Sequence, residues 1–170
     1  MTQRRYSSRP FPSYRFIPGL APHPTRDLEG HSYNQESSPL KSFDPDNWHS
    51  CQEYLYGIDL FNHGYWWEAH EALEAVWVAA GRRTNTGLFV QGLIQVAVAH
   101  LKKFQGFHDV ATRMAQSGLQ KMMPFNQVYL GIEMARFRTA VTAYFLKRNG
   151  EHVQVILVRS HGLSRKKVTR

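Results

Sequence analysis

The fold is organised around residues 62–77, which read NHGYWWEAHEALEAVW. The stretch opens with the turn residues Asn-His-Gly, and apolar side chains then recur at helical spacing. One face of the resulting helix carries Trp66, His70, Leu73 and Trp77, which follow one another at spacings of four, three and four residues. A histidine in an apolar seam needs a partner, because a buried polar group without a hydrogen bond or a ligand costs free energy.

The candidates for chemistry on this helix are His70, Glu71 and Glu74. The run His-Glu-Ala-Leu-Glu partly resembles the His-Glu-x-x-His helix of zinc proteases, in which two histidines bind zinc and the glutamate acts on water. Glu74 stands in the place of the second histidine, and this departure ends the analogy. A carboxylate also binds divalent metals, so His70 and Glu74, one helical turn apart, are a chemically reasonable pair of ligands.

Two ligands from one helix do not make a metal site, so further ligands must come from elsewhere in the chain. We consider His100 on the third predicted helix, and His23 and His31 if the N-terminal segment folds over the helix. His63 and Glu68, which lie close to the turn, are expected to be surface groups.

The polar cluster also has a structural interpretation. Gln91 and Gln95, one turn apart, form a polar strip on the third predicted helix, which is otherwise apolar. His70 can hydrogen-bond to one of these glutamines or to a buried water, while Glu74 fixes the tautomer of its ring. In that case the cluster only sets the register of the helix.

Apolar periodicity and turn residues predict an all-α fold: a compact bundle of about five helices with an extended N-terminal arm and a short extended C-terminal tail. The first helix is expected to run from after Asp46 to the turn at Asn62, and the second through the central stretch to about Ala80. The other three are expected over about 85–104, 109–122 and 130–148. Residues 152–158, HVQVILV, have the composition of a strand but no evident partner, and we expect them to pack as an extended segment.

We divide the chain into an arm and linker (1–42), a helical domain (43–150) and a basic C-terminal tail (151–170), whose last dozen residues are expected to be disordered. The net charge of +8 lies in the two ends. Residues 159–170 contain five Lys/Arg and no acid, residues 1–41 contain six Lys/Arg and three acids, and residues 42–158 contain ten of each. Basic tails of this kind bind nucleic acid or another anionic partner, or they remain solvated ends.

The composition also bears on where the protein is expected to be located. The single cysteine, Cys51, cannot form a disulfide within the chain and fits a cytoplasmic location. No apolar run approaches the roughly 18 residues that a membrane-spanning helix needs, so we expect no membrane partner.

Residues 58–120 resemble an uncharacterised helical family of bacteria and archaea known as domain of unknown function 309. The resemblance rests on FNHGYWWEAHEALEAVW (61–77) and QGLIQVAVAHLKK (91–103), which fall on two consecutive predicted helices. The arm sequence YRFIPGLAPHPTRDLEGHSY (14–33) resembles an extension of the longer members. The resemblance implies a mainly helical bundle, and the family carries the general label of predicted metal-dependent hydrolase with no established substrate. Its polar positions correspond to His70, Glu71, Glu74, Gln91 and Gln95, with Trp77 beside them.

The first functional hypothesis is therefore a metal-dependent hydrolase. His70 and Glu74 would bind zinc or manganese, and His23 and His31 of the arm would complete the ligand set. Glu71 would be the catalytic base that activates a water. Supporting positions around this site are Gln91, Gln95, Trp77 and His100.

The second hypothesis is a non-enzymatic helical binding or assembly module. Its basic tails would contact nucleic acid or an acidic partner, and the polar cluster would be structural. The partners that the sequence allows are thus an unidentified small-molecule substrate, nucleic acid, an acidic partner or a second copy of the chain.

Overall fold

The computed structural model describes residues 4–35, 38–147 and 149–158. Within these residues the fold is all-α, as predicted, and its α-helices are α1 (Gln52–Asn62), α2 (Trp66–Ala79), α3 (Asn85–Phe104), α4 (His108–Lys121) and α5 (Met134–Val141). A 3-10 helix (Pro45–Ser50) precedes α1, and a π-helical turn (Thr142–Leu146) continues α5. Two short antiparallel strands, β1 (Val128–Tyr129) and β2 (Ile132–Glu133), form a hairpin before α5. No helix in the described ranges is both long and apolar enough to cross a membrane.

The helix α3 lies at the centre of the bundle, between α2 and α4. Thr84 caps its N-terminus, because the Thr84 hydroxyl accepts a hydrogen bond of 2.9 Å from the amide of Gly87. Leu73 of α2 packs into the same apolar core as Phe89 and Leu93 of α3, and all three side chains are fully buried. The predicted apolar faces of the second and third helices therefore form the core of the fold.

The backbones of α3 and α4 touch at two glycines. A Cβ atom added to Gly92 would lie 2.8 Å from the carbonyl oxygen of Gly118 and 2.6 Å from the Cγ atom of Met122. A Cβ atom added to Gly118 would lie 2.8 Å from the carbonyl oxygen of Gly92. The two helices can approach this closely only because neither position carries a side chain.

The first predicted helix is divided in the structure. Asp44 caps the 3-10 helix by accepting a hydrogen bond of 3.0 Å from the amide of Asp46, so a 3-10 helix, and not the predicted α-helix, begins near the predicted start. Cys51 then has extended backbone angles (φ −82°, ψ 105°), and α1 begins one residue later. The apolar periodicity of the sequence does not show this break, because Trp48 on the 3-10 helix and Cys51 both pack against the core and continue the pattern.

The fifth predicted helix, 130–148, is shorter than expected. Leu130 (φ 45°) and Gly131 (φ 77°) form the turn of the hairpin, so α5 begins only at Met134. The side chain of Leu130 is buried all the same, which is why the apolar periodicity extends past the true start of the helix.

Residues 152–158 form an extended segment, as predicted, and the structure supplies the partners that the sequence did not reveal. The side chain of Asn62 donates to the carbonyl of Val155 and accepts from its amide, both at 2.8 Å. Leu157 pairs with Ile132 of β2 through an isolated bridge, and its amide donates to the hydroxyl of Tyr6 at 2.9 Å. The tail residues 159–170, predicted to be disordered, lie outside the described residues.

Candidate functional site

The N-terminal arm (residues 4–35) lies against the helical body, and its first anchor is Asp59 of α1. One carboxylate oxygen accepts from the amide of Tyr6, and the other accepts from the amide and the hydroxyl of Ser7, each at 2.8 Å. The Nε atom of Arg5 lies 3.6 Å from the same carboxylate. Asp59 is fully buried, and these contacts supply the partners that a buried charge requires.

The second anchor of the arm is Glu68, in the first turn of α2. Its Oε1 atom accepts a hydrogen bond of 2.7 Å from the amide of Phe16 and lies 3.1 Å from the Nε2 atom of His31. Our prediction that Glu68 is a surface group is therefore wrong, since only 5% of it is exposed. Because the Glu68 side chain is charged, we expected it to face solvent, but the arm covers it. Its other oxygen, Oε2, is buried without a hydrogen-bond partner among the described residues.

Two histidines of the arm lie close to the carboxylates of α2. The His31 ring also contacts the hydroxyl of Ser32, 2.8 Å from its Nδ1 atom. The His23 ring packs on Trp67, with 5.7 Å between ring centroids. Both imidazoles are near enough to Glu71 to lower its pKa.

The pKa of Glu71 is nevertheless raised. Its side chain reaches solvent, but the surrounding protein partly desolvates the carboxyl, and this effect outweighs the others. The neighbouring carboxylate of Glu68 raises the pKa further, while the two arm histidines oppose it. A carboxylate with a raised pKa is a stronger proton acceptor than an ordinary surface carboxylate.

The predicted metal-binding pair, His70 and Glu74, lies on the same helix. The Nε2 atom of His70 is 3.9 Å from the Oε2 atom of Glu74, and both side chains are partly exposed. Burial lowers the pKa of His70, and the Glu74 carboxylate partly counteracts this effect. The Nδ1 atom of His70 and the Oε1 atom of Gln95 are both buried without a partner in the part of the chain that the structure describes. The hydrogen bond from His70 to Gln95 that the structural interpretation considered is thus not made, and within that same part none joins His70 to Gln91.

The remaining predicted residues lie in other surroundings. His100 is buried in an aromatic cluster, 5.3 Å from the Trp66 ring and 5.1 Å from the Tyr144 ring. Burial lowers its pKa well below the ordinary value, and the next causes are the positive groups of His152 and Lys103. Trp77 lies at the end of α2, where its Nε1 atom donates to the carbonyl of Arg82 at 3.3 Å. Among the described residues, neither makes a hydrogen bond or a ring contact with His70.

The described arrangement does not fit a metal ion. In residues 4–35, 38–147 and 149–158, no group of three or more His, Cys, Asp or Glu side chains has the spacing that would hold one. Imidazoles and carboxylates are suitable donors for zinc or manganese. However, the Oε1 atom of Glu68 already accepts from Phe16 and faces His31, so Glu68 and His31 are engaged in holding the arm.

Part of the chain matches a known protein family. The family model described as Domain of unknown function (DUF309) matches residues 54–114, from α1 into α4. The matched segment includes both buried anchors, Asp59 and Glu68, and the cluster of His70, Glu71 and Glu74, but no residue of the arm. None of the curated proteins compared with the chain gives a significant match.

Proposed function

We propose, given that residues 54–114 belong to the family Domain of unknown function (DUF309), that the chain is a helical binding module that holds its N-terminal arm in a fixed position. The observation that supports this function is the use of the two buried carboxylates. Asp59 and Glu68 both accept hydrogen bonds from backbone amides of the arm.

Buried carboxylates are costly, so their partners indicate their purpose. A catalytic carboxylate needs contact with a substrate, whereas Asp59 is fully buried under the arm and Glu68 is nearly so. An arm held by backbone hydrogen bonds keeps its shape, and it therefore presents a defined surface to a partner. We assign Asp59 and Glu68 to this structural role.

Substitution of Glu68 tests this function. In Glu68→Ala the amide of Phe16 and the ring of His31 lose their acceptor, so residues 14–33 should detach more often. Charged hydrogen bonds contribute about 1.5–3 kcal/mol, so we expect the Phe16 amide to exchange roughly 10- to 100-fold faster by hydrogen-exchange mass spectrometry. Glu68→Gln keeps a neutral acceptor and should retain much of the protection.

The matched control is Glu74→Ala, six residues closer to the C-terminus of α2, which removes a carboxylate that makes no hydrogen bond to the arm in the described residues. Unchanged exchange of residues 14–33 in Glu68→Ala would contradict the proposal, because the arm would then be held without this anchor.

A second candidate function is a metal-dependent hydrolase. Glu71 would be the base, and its raised pKa supports that role. The unpartnered Oε2 atom of Glu68 also supports a polar ligand near the arm histidines. The metal ligands would be His70 and Glu74 with His23 and His31, and the ion would be zinc or manganese. Since these donors are not gathered in the described arrangement, His31 would first have to leave Glu68.

The two candidates give opposite results when the metal-free protein is titrated with zinc or manganese in a calorimeter. For the binding module we expect no stoichiometric uptake at micromolar metal, and hydrogen exchange of the arm should be unchanged. The hydrolase requires uptake of about one equivalent that is lost in His31→Gln and in His70→Ala, accompanied by faster exchange of the arm. The exposed His49→Ala is the control histidine, since it lies on the 3-10 helix away from α2.

A further inference from the structure

We propose that the α5 groove, which is the space between α5 with its π-helical turn and residues 150–158, binds a short peptide with a free carboxylate and a free ammonium group. The inference goes beyond the proposed function, because neither the two anchors of the arm nor the polar cluster of α2 takes part in it. It assigns a ligand class to a part of the molecule that lies outside the family match.

The α5 groove consists of two adjoining cavities. The larger has a volume of about 280 Å³ and lies beside the π-helical turn, where Ala143 and Gly150 line it. The smaller, of about 20 Å³, lies beside the hairpin. Arg136, Gln154 and Ile156 line both cavities, so the two are continuous. Ligand pockets commonly have volumes of roughly 300–1,000 Å³, so the groove has the size of a site for a small ligand.

One wall of the groove is a backbone edge with an unused donor. The amides of Val155 and Leu157 donate to side chains of α1 and the arm, whereas the amide of Val158 donates to a carbonyl of the hairpin at 2.8 Å. Because alternate residues of a strand bond to opposite edges, the amide of Ile156 faces the hairpin side. It has no hydrogen-bond acceptor among the described residues, since β2 ends at Glu133 and the chain then turns into α5. An open edge of this kind pairs with the backbone of an added peptide.

The opposite wall leaves room for such a peptide. Arg136, Ala140 and Ala143 follow one another at spacings of four and three, so they share one face of α5 and its π-helical turn. Gly150 approaches this wall closely, because a Cβ atom added to it would lie 3.3 Å from the Cβ atom of Ala143. A helix rises about 10 Å over the seven residues from Arg136 to Ala143. Three fully extended residues span at most about 10 Å, so a tripeptide matches the length of this wall.

The charges of the groove favour a peptide with free ends. Arg136 lines both cavities and so lies toward the hairpin, whereas Glu151 lines only the larger one and lies toward the π-helical turn. In the part of the chain that the structure describes, neither side chain forms an ion pair. The carboxylate of a bound peptide can therefore accept from the guanidinium of Arg136 while its ammonium group donates to Glu151. An internal strand of a partner protein carries no such charged ends, so a short peptide fits the groove better.

Titration of the full chain with the tripeptide trialanine, followed by the NMR shifts of the backbone amides, tests the inference. We expect saturable shifts that include the amide of Ile156. Arg136→Gln should weaken the binding of trialanine by roughly 5- to 10-fold, because solvent reduces the strength of a charged hydrogen bond at an exposed site. Trialanine amide, which lacks the carboxylate, should bind Arg136→Gln and the native chain equally.

The other end of the peptide is tested in the same way. Glu151→Gln should weaken the binding of trialanine to a similar extent and leave N-acetyl-trialanine, which lacks the ammonium group, unaffected. Ala140→Leu places a larger side chain in the larger cavity and should abolish binding while the NMR spectrum stays native-like. The matched control is Arg113→Gln, which removes an exposed arginine of α4 that lines neither cavity.

Three results would overturn the inference. The first is the absence of any saturable shift of the Ile156 amide at millimolar trialanine. The second is an equal loss of affinity in Arg113→Gln, because net charge alone would then explain binding. The third is undiminished binding of N-acetyl-trialanine amide, since that peptide lacks both charged ends and the groove would then recognise an ordinary strand.

Discussion

Replacement of Asp59 by alanine should lower the free energy of unfolding by about 3 kcal/mol and release residues 4–10 from the helical body. The carboxylate accepts from two backbone amides and one hydroxyl of the arm and lies beside Arg5. Hydrogen bonds to a charged acceptor contribute about 1.5–3 kcal/mol each, but the arm can detach and return its amides to water, so the losses do not add in full. Urea denaturation measures the stability, and limited trypsin digestion at Arg5 measures the release.

The control for this prediction is Glu133→Ala. Glu133 is exposed and precedes α5, and its carboxylate accepts no hydrogen bond from the first turn of that helix. We expect it to change stability by less than about 0.5 kcal/mol. Equal stability of Asp59→Ala and the native chain would mean that the cost of burying the carboxylate cancels the hydrogen bonds it accepts. The arm would then be held by its aromatic contacts.

Replacement of Gly92 by valine should lower the free energy of unfolding by about 3 kcal/mol or more, as judged by urea denaturation. Its Cβ atom would meet the carbonyl oxygen of Gly118, which is backbone and cannot move without shifting α4. A non-glycine residue gains up to about 1 kcal/mol of helix propensity, which is too little to offset the separation of two helices. Since α3 is central, the core of the bundle would open along its contact with α4.

Gly92→Ala provides a milder test if the valine variant does not fold, and we expect it to be destabilised by at least about 1 kcal/mol. Gln116→Val, at an exposed position of α4, is the control for the added side chain and should be nearly neutral. Native stability in Gly92→Ala would contradict the close contact between the two helices.

The sequence predicted the helices around the core well, because each is long, periodic and bounded by turn residues. The helices α2, α3 and α4 begin and end within about two residues of the predicted positions. Periodicity failed where an apolar side chain packs from a non-helical backbone. Trp48 and Leu130 continue the pattern beyond the true helix starts, and only their backbone angles or neighbours reveal the difference.

The candidate site was harder to predict because its main contacts join distant parts of the chain. Docking of the N-terminal arm on the body was considered, but its anchors, Asp59 and Glu68, were not recognised. A signal for Asp59 was present, since it interrupts the apolar run from Tyr54 to Phe61 at a fully buried position. No comparable signal marked Glu68, because an acid in the first turn of a helix is ordinarily a solvated group.

The hydrogen bond between Tyr6 and Leu157 joins residues 151 positions apart. Nearly the whole described chain must therefore be synthesised before this one hydrogen bond of the arm can form. Contacts of such long sequence separation form late, because the loop they close costs the most entropy. During translation the arm is expected to meet Asp59 and Glu68 early, and the hydrogen bond between Tyr6 and Leu157 is expected to form last, once residue 157 has left the ribosome.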